Sequence, residues 1–292
     1  MKSKTVHSRM INLFYFPALL LFLLFVVYPF AEGIRISFTN WNGYSQSYAY
    51  VGIKNYVSLF QDANVWTALL NTLIYGLGST LLQNVLGLLY ALFLDSKFRG
   101  HTLVRTIVYL PVMIAPLIMG YIMYFLLQYD HGAINDLIGL FGQAPVDWMN
   151  NGPRAVWIMT LVNSLQFMGI SMVIYMAGLQ GIPTMYYEAA NIDGISAFGR
   201  FRYITLPLLQ PAVTSAVIIN LIGGLKLYDI IMALTMGGPG YSSHSLSTLI
   251  SNQYFKAQNA GYSSAIGIFT FLLIMVISNL AMRYFDKKEV YV

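Results

Sequence analysis

Residues 188–209 read EAANIDGISAFGRFRYITLPLL and form a polar segment between two strongly apolar runs. The flanking runs, at about 156–180 and 208–234, each exceed the roughly 20 residues that an α-helix needs to cross a hydrocarbon core. The segment between them carries Glu188, Asp193 and Arg200. This arrangement predicts a bundle of membrane helices in which two spans are joined by a polar, helical connector.

The composition supports a membrane protein. Of the 292 residues, 57% are hydrophobic and 9% are charged, with a mean hydropathy of +0.62, whereas soluble domains are about 25% charged. The net charge of +5 could suggest nucleic acid, but the basic residues flank the apolar runs and form no binding patch. The absence of cysteine excludes disulfides, zinc–thiolate sites and iron–sulfur clusters.

The apolar runs predict an all-α integral membrane protein with six transmembrane helices. They lie near 11–31, 69–94, 105–127, 156–180, 208–234 and 264–284. We therefore expect one membrane domain over 11–285, between cytoplasmic tails at 1–10 and 286–292. The first run follows basic residues like a signal peptide, but it exceeds the usual apolar length of about 7 to 15 residues and is predicted to be retained.

The distribution of Lys and Arg predicts the orientation. The predicted inner segments carry eleven of these residues, whereas the outer segments carry four, namely Arg35, Lys54, Arg154 and Lys256. By the positive-inside rule, both termini and the 188–209 segment are cytoplasmic.

The sequence lacks several motifs of catalytic or nucleotide-binding proteins. It contains no phosphate-binding loop of the G-x-x-x-x-G-K-[ST] type, no H-E-x-x-H and no G-x-S-x-G. Its four histidines are scattered through termini and loops. We predict no catalytic residue, no metal site and no cofactor in this chain, so that any ATP and magnesium are held by another polypeptide.

The connector at about 183–207 has the local signals of two short helices. Pro183 suits a first helical turn, with Thr184 as a candidate cap. Gly194 can end the first helix at positive φ, and Ser196 can cap a second helix, which is predicted to run to about Ile204 before Pro207 redirects the chain. Ala189 and Ala190 are expected to leave a smooth surface for a partner, although a mere helical connection has the same pattern.

The connector resembles the EAA signature of permease subunits of binding-protein-dependent ABC importers. The matching residues are Glu188, Ala189, Ala190, Asp193, Gly194, Phe201, Ile204, Leu206, Pro207 and Pro211. Ile195 departs from the usual Ala after the glycine. Further similarity to sugar permeases of the multiple-sugar, raffinose and maltose types covers almost the whole chain, at Tyr28, Pro29, Ser37, Phe38, Gly52, Asn55, Tyr56, Asn71, Thr72, Arg105, Leu110, Pro111, Gly132, Asn135, Leu179, Gln180, Ile182, Pro183 and 234–240.

The resemblance implies the type I ABC importer permease fold and a role in carbohydrate import across a bacterial cell membrane. It implies a second homologous permease, two ATP-binding subunits and an extracytoplasmic sugar-binding protein as partners. The ATPase-coupling residues would be Glu188, Ala189, Ala190, Asp193 and Gly194.

Two faces of the predicted spans are candidate sugar contacts. Asn163, Gln166 and Phe167 share a face of the fourth span, and Asn220, Gly223 and Gly224 share a face of the fifth. Intramembrane polar side chains usually face the bundle interior or a cavity, and equivalent positions in maltose-type permeases line the sugar site. The alternative is that these amides and glycines only pack helices together.

Lys226 and Asp229 are spaced i,i+3 near the outer end of the predicted fifth span and suggest a gate or structural pair. A proton-coupled secondary transporter would use Asp229 as its coupling carboxylate, and this is the rival hypothesis. A membrane enzyme is a third class, but the chain lacks a reactive constellation.

Overall fold

The computed structural model describes residues 15–96 and 98–287. The predicted tail at 1–10, the start of the first predicted span, Lys97 and most of the 286–292 tail therefore lie outside the described residues. The helices, in chain order, are α1 (Tyr15–Ser37), α2 (Lys54–Gln61), α3 (Ala63–Asp95), α4 (His101–Met113), α5 (Pro116–Leu127), α6 (Ala133–Leu140), α7 (Gly152–Gln180), α8 (Thr184–Ile192), α9 (Ala197–Leu208), α10 (Gln210–Leu225), α11 (Asp229–Leu234), α12 (Leu246–Ser251) and α13 (Ala260–Asp286).

Four of these helices, α1, α3, α7 and α13, are long and apolar enough to cross a membrane by themselves. Two further spans arise if α4 with α5, and α9 with α10, each count as one bent element. The pairs are bent by 99° and 68°, respectively. The described chain therefore holds four to six candidate spans, and six matches the sequence prediction.

The described chain divides into two compact units. The first takes the described residues up to Asp62 together with Ile250–Phe269, and the second takes Ala63–Leu249 and the described residues from Thr270 onward. Helices α3, α5, α7, α10 and α11, which build the candidate site, belong to the second unit.

The most extensive helix contact in the second unit joins α3 to α7. Gly87 on α3 makes this close approach possible, because a Cβ at this position would collide with Ser171 and lie 2.9 Å from the backbone nitrogen of Met172. Two buried apolar clusters fill the same unit, one around Tyr75 and Met159 and the other around Tyr175. Since such packing fixes the helices, polar groups on their facing sides have defined positions.

The predicted fifth span, 208–234, is wrong in its outer part. Helix α10 ends at Leu225, Lys226 is its C-cap, and the chain turns before α11 starts at Asp229. Lys226 and Asp229 therefore do not share one continuous helix. The residues of the run 230–234 are apolar, and most of them are buried in the protein core. Hydropathy therefore predicts that the span continues through them.

The predicted third span, 105–127, also contains a break. Helix α4 finishes with a tight turn over Leu110–Met113, Ile114 is extended, and Pro116 lies in the first turn of α5. A proline in the first helical turn is favourable because its missing N–H would be unpaired there. Pro116 thus marks the start of a new helix inside an apolar run.

Candidate functional site

A cavity of about 220 Å³ lies within the second unit between α3, α7 and α10. The start of α5 and the turn after α10 complete its wall. Its lining residues are Gln83, Pro116, Asn163, Phe167, Ile170, Ile219, Asn220, Gly223, Gly224, Lys226, Leu227, Tyr228 and Asp229. The structure thus brings five of the six predicted sugar contacts together around one space.

Asn163 presents an uncommitted amide to this cavity. Its side chain is buried, yet it makes no hydrogen bond to any residue in the described part of the chain. Buried polar groups are normally paired, so an unpaired amide at a cavity wall is available to a bound molecule. Asn163 is therefore the side chain best placed to bind a polar ligand.

Gln83, on α3, is a second amide in the wall. Its Nε2 donates to the backbone carbonyl of Asn163 at 3.0 Å, while its buried Oε1 has no partner among the described residues. The bond to α7 fixes the orientation of the amide. Gln83 thus adds an unused acceptor beside the unused amide of Asn163.

Asn220, on α10, is partly committed to the protein. Its Nδ2 donates to the Ser171 hydroxyl at 2.6 Å, which ties α10 to α7. The residue lies ten positions after the start of α10, or about 15 Å along the axis at 1.5 Å per residue. Asn220 therefore joins the two helices and lines the cavity at the same time.

The two neighbouring glycines of α10 differ in their surroundings. A Cβ at Gly223 would meet no atom within 4 Å. A Cβ at Gly224 would lie 2.6 Å from Ser79 Oγ, 2.8 Å from the Tyr75 carbonyl oxygen and 2.9 Å from Gly76 Cα. Gly223 thus leaves cavity space free, whereas Gly224 allows α10 to contact the backbone of α3.

Gln166 is placed differently from its predicted role. It does not line the cavity; its side chain is 1% exposed and its Nε2 donates to the Ile114 carbonyl at 2.9 Å. The break between α4 and α5 frees that carbonyl from helical pairing, and the amide of Gln166 satisfies it. Spacing along α7 placed Gln166 on the Asn163 face, but the broken span could not be seen in the sequence.

Lys226 and Asp229 both line the cavity, at the turn between α10 and α11. They form no ion pair with each other in the described part of the chain. Asp229 also lies in the first turn of α11, where a negative charge is favourable. The geometry places both charges in the cavity wall and gives no support to a locked structural pair.

Sequence analysis missed several lining residues. Gln83 lies in the apolar run at 69–94, and only the packing of α3 against α7 places it in the wall; Tyr228 belongs to a turn that hydropathy does not reveal. Pro116 was the one detectable signal, since a proline inside an apolar run indicates a helix start.

The connector is ordered by its own hydrogen bonds. Helix α8 starts after Pro183, which is the extended N-cap residue, so the prediction that Thr184 caps the helix is wrong. Gly194 adopts a φ of +71°, as predicted, and the Ser196 hydroxyl accepts from the Gly199 amide at 3.2 Å, as predicted. The second helix runs beyond Ile204 and contains Pro207; the bend comes later, at Leu209.

The exposed face of the connector is apolar as well as charged. Ile192 is 87% exposed and Phe198 is 73% exposed, and Met185 and Glu188 are exposed too. We call these four residues the connector face. Ala190 is 2% exposed, so its side chain does not contribute to this exposed face.

No group of three or more His, Cys, Asp or Glu side chains that could hold a metal ion occurs in the described ranges 15–96 and 98–287. The described ranges instead combine four to six candidate membrane spans with a cavity lined by amide side chains. Fold and site together define a multi-pass transport protein.

Residues 83–290 match the family model for the binding-protein-dependent transport system inner membrane component, so the chain belongs to this family of ABC importer permeases. It is 35% identical to the probable starch degradation products transport system permease protein AmyD of Thermoanaerobacterium thermosulfurigenes, over 95% of this chain and 94% of the relative. It is 32% identical to the trehalose/maltose transport system permease protein MalF of Thermococcus litoralis, over 94% and 92% of the two chains.

The fold is that of type I ABC importer permeases. It is similar to a chain in the crystal structure of a bacterial ABC transporter involved in the import of the acidic polysaccharide alginate. The TM-score is 0.84 at 23% identity, with 97% of each chain covered. The family match confirms the predicted resemblance to ABC importer permeases, and the structural similarity confirms the predicted all-α fold.

Proposed function

We propose that this protein is the permease subunit of an ATP-driven oligosaccharide importer and that the cavity between α3, α7 and α10 is its sugar-binding site. The observation that carries the proposal is the polar cavity wall, in which the side chain of Asn163 lies beside Gln83, whose buried Oε1 has no partner among the described residues. The printed names of the relatives, which refer to starch degradation products, trehalose and maltose, support a carbohydrate as the transported solute.

The wall has the chemistry that a sugar requires. A sugar hydroxyl donates and accepts hydrogen bonds, and an amide side chain offers both functions. Phe167 and Ile170 add an apolar surface next to the amides, suited to the C–H face of a sugar ring. The six predicted contacts divide accordingly: Asn163, Phe167, Asn220 and Gly223 contact the sugar, while Gly224 and Gln166 hold the helices that form the wall.

The volume favours a shared site. About 220 Å³ is less than the roughly 300–1,000 Å³ of typical ligand pockets. A second, homologous permease packed against this one would supply the remaining wall. The transported sugar would then lie between two subunits, with this chain contributing the amides of α3, α7 and α10.

The connector is proposed to couple transport to ATP hydrolysis. Its charged and apolar connector face suits a cleft of a cytoplasmic ATP-binding subunit, which requires both termini to be cytoplasmic. Glu188 lies on this face, and Asp193 and Gly194 form the turn that sets the angle between α8 and α9. Ala189 is exposed beside Glu188, whereas Ala190 supports the turn from inside.

The remaining partners follow from the same assembly. Two ATP-binding subunits would hold ATP and magnesium, and an extracytoplasmic sugar-binding protein would deliver the solute. This chain would then be a non-catalytic subunit of a bacterial cell-membrane complex. Ligand binding and nucleotide binding would each bias one bistable arrangement of the helices.

A proton-coupled transporter is the second candidate because Asp229 lines the cavity. The family assignment favours the importer. A carboxylate that carries the coupling proton is indispensable for such a transporter, so Asp229→Asn separates the two candidates. Retained uptake supports the importer, and abolished proton-driven uptake supports the secondary transporter.

The sugar site is tested with Asn163→Leu and with Asn279→Leu as a matched control, since Asn279 is exposed on α13 and only bonds to the Met275 carbonyl. Uptake of labelled maltotriose is measured in proteoliposomes that contain the complete importer. We expect Asn163→Leu to raise the KM for uptake at least fivefold, about 1 kcal/mol for a lost hydrogen bond, and Asn279→Leu to leave it unchanged. Equal kinetics in both variants would refute the site.

A further inference from the structure

The first unit contains a second recess, of about 670 Å³, built largely from polar side chains. We call it the α2 recess. Its lining residues are Asn40, Val51, Lys54, Asn55, Ser58, Gln61, Asp62, Gln258, Asn259 and Tyr262. Five of these ten residues carry an amide side chain, and no role in transport is yet assigned to them.

One wall of the recess is a polar face of α2. Lys54, Ser58 and Gln61 are spaced i, i+4 and i+7, so they lie on one side of this helix. Leu59 points away from this side and is buried in the protein. The three polar side chains make no hydrogen bond to any residue in the described part of the chain.

A second group of lining residues comes from the segment where the chain enters α13. Tyr262 is buried and donates from its hydroxyl to Asp62 Oδ2 at 2.8 Å, which joins this segment to the end of α2. Gln258 is exposed at the rim, with a left-handed φ of +51°, which is uncommon for a residue other than glycine. Hydrogen bonds from the amides of Ala257 and Asn259 to the preceding turn hold this conformation.

Two further lining residues are held by hydrogen bonds to the backbone. Asn55 donates from Nδ2 to the carbonyls of Ser37 and Thr39, at 2.8 Å each. Asn40 Oδ1 accepts from the Ala49 amide at 2.7 Å. A recess in which some polar side chains are held by the backbone and others are uncommitted is preorganised for a ligand that makes many hydrogen bonds.

The charges of the recess favour a neutral ligand. Lys54 is the cation and Asp62 the anion among its lining residues, and the rest are uncharged. The volume falls within the usual range for ligand pockets, about 300–1,000 Å³. Amide and hydroxyl groups in this number match the repeated hydroxyls of a carbohydrate better than they match an anion, a lipid or an apolar peptide.

We propose that the α2 recess is a second carbohydrate-binding site, separate from the cavity of the second unit. It has the same amide chemistry as that cavity, and its ligand is a neutral oligosaccharide. The choice of ligand class rests on the proposed function, whereas the existence of the site rests on the recess itself.

The test uses the complete importer in lipid nanodiscs, without the external binding protein, and maltotriose as the probe. Saturation-transfer NMR titrations measure sugar binding to four forms: wild type, the recess variant Ser58→Ala with Gln61→Leu, the cavity variant Asn163→Leu, and Asn163→Leu combined with the recess changes. Gln253→Leu, in the same segment as Gln258 but outside the recess, is the matched control. The changed residues of α2 are exposed, so these variants are expected to fold.

We expect the cavity variant to retain maltotriose binding and the combined variant to bind about 25-fold more weakly than the cavity variant, since each of the two hydrogen bonds lost from the recess weakens binding about fivefold. Gln253→Leu should change nothing. If Asn163→Leu alone abolishes binding, the cavity site stands and the recess proposal is overturned. If the recess changes leave the affinity for maltotriose unchanged but weaken binding of the external sugar-binding protein to the importer, the recess is a protein-docking surface. The proposal is then overturned as well. Binding lost only on changing the recess would uphold the recess and refute the cavity.

Discussion

Gly223 and Gly224 are adjacent on α10 but should respond in opposite ways to a single added methyl group. At Gly224, the new Cβ would lie within 2.9 Å of backbone atoms of Tyr75 and Gly76, which cannot turn away as a side chain can. At Gly223, the same methyl meets nothing within 4 Å. We therefore predict that Gly224→Ala destabilises the protein and that Gly223→Ala does not.

The magnitudes follow from two opposing terms. Replacing a helical glycine by alanine stabilises the helix by up to about 1 kcal/mol. At Gly223 no steric cost opposes this gain, because the new methyl group meets no atom within 4 Å. Overpacking at Gly224 costs about 1–3 kcal/mol, which outweighs that gain once α10 has to move from α3. Because the helix term is common to both positions, the two variants should differ by the overpacking cost, about 1–3 kcal/mol in the free energy of unfolding.

Thermal unfolding of the purified complex in one detergent checks this difference, and maltotriose uptake is measured in parallel. Gly224→Ala should have the lower Tm, whereas Gly223→Ala should have a Tm equal to or above that of the wild type and a raised KM, because its methyl group narrows the cavity. An equal loss of Tm in both variants, or a larger loss for Gly223→Ala, would refute the assignment of one glycine to packing and the other to the cavity.

Three further outcomes are expected. Gly194→Val should reduce recovery of the ATP-binding subunits in a pull-down, because a β-branched residue resists the φ of +71°, while Gly194→Asn, which tolerates that conformation, should not; equal recovery would contradict the coupling role of the turn. Gln166→Leu should lower stability by about 1–3 kcal/mol in chemical unfolding, because the Ile114 carbonyl loses its partner, with the KM for sugar unchanged; a changed KM with unchanged stability would restore Gln166 as a sugar contact. Cysteines introduced singly at Pro145 and Ile195 should react with an impermeant maleimide from opposite sides of the membrane, and labelling from the same side would contradict the orientation.

Sequence reasoning recovered the parts of this fold that depend on local signals. The lengths of the apolar runs identified the long helices α3, α7 and α13. Gly194 and Ser196 identified the turn inside the connector, because positive φ and N-capping are properties of one residue and its near neighbours.

The parts that sequence reasoning missed depend on contacts between distant segments. Helix α10 ends at Leu225, and α11 then packs against α5 in the protein core. Because both α10 and α11 are apolar, hydropathy predicts a single continuous span there. Gln166 and Asn163 share a helix face by spacing, yet the amide of Gln166 donates to the Ile114 carbonyl in the break between α4 and α5, which spacing along α7 does not reveal. Gln83 lines the cavity because α3 packs against α7, and no pattern within α3 predicts this packing.

The most direct test of the central claim is maltotriose uptake into proteoliposomes that contain this permease with the second permease and the ATP-binding subunits of the same organism. The importer account predicts uptake that requires the external binding protein and ATP on the side of the connector, and that a protonophore leaves unchanged. Uptake by this chain without ATP, driven by a proton gradient and abolished by the protonophore or by Asp229→Asn, would contradict it.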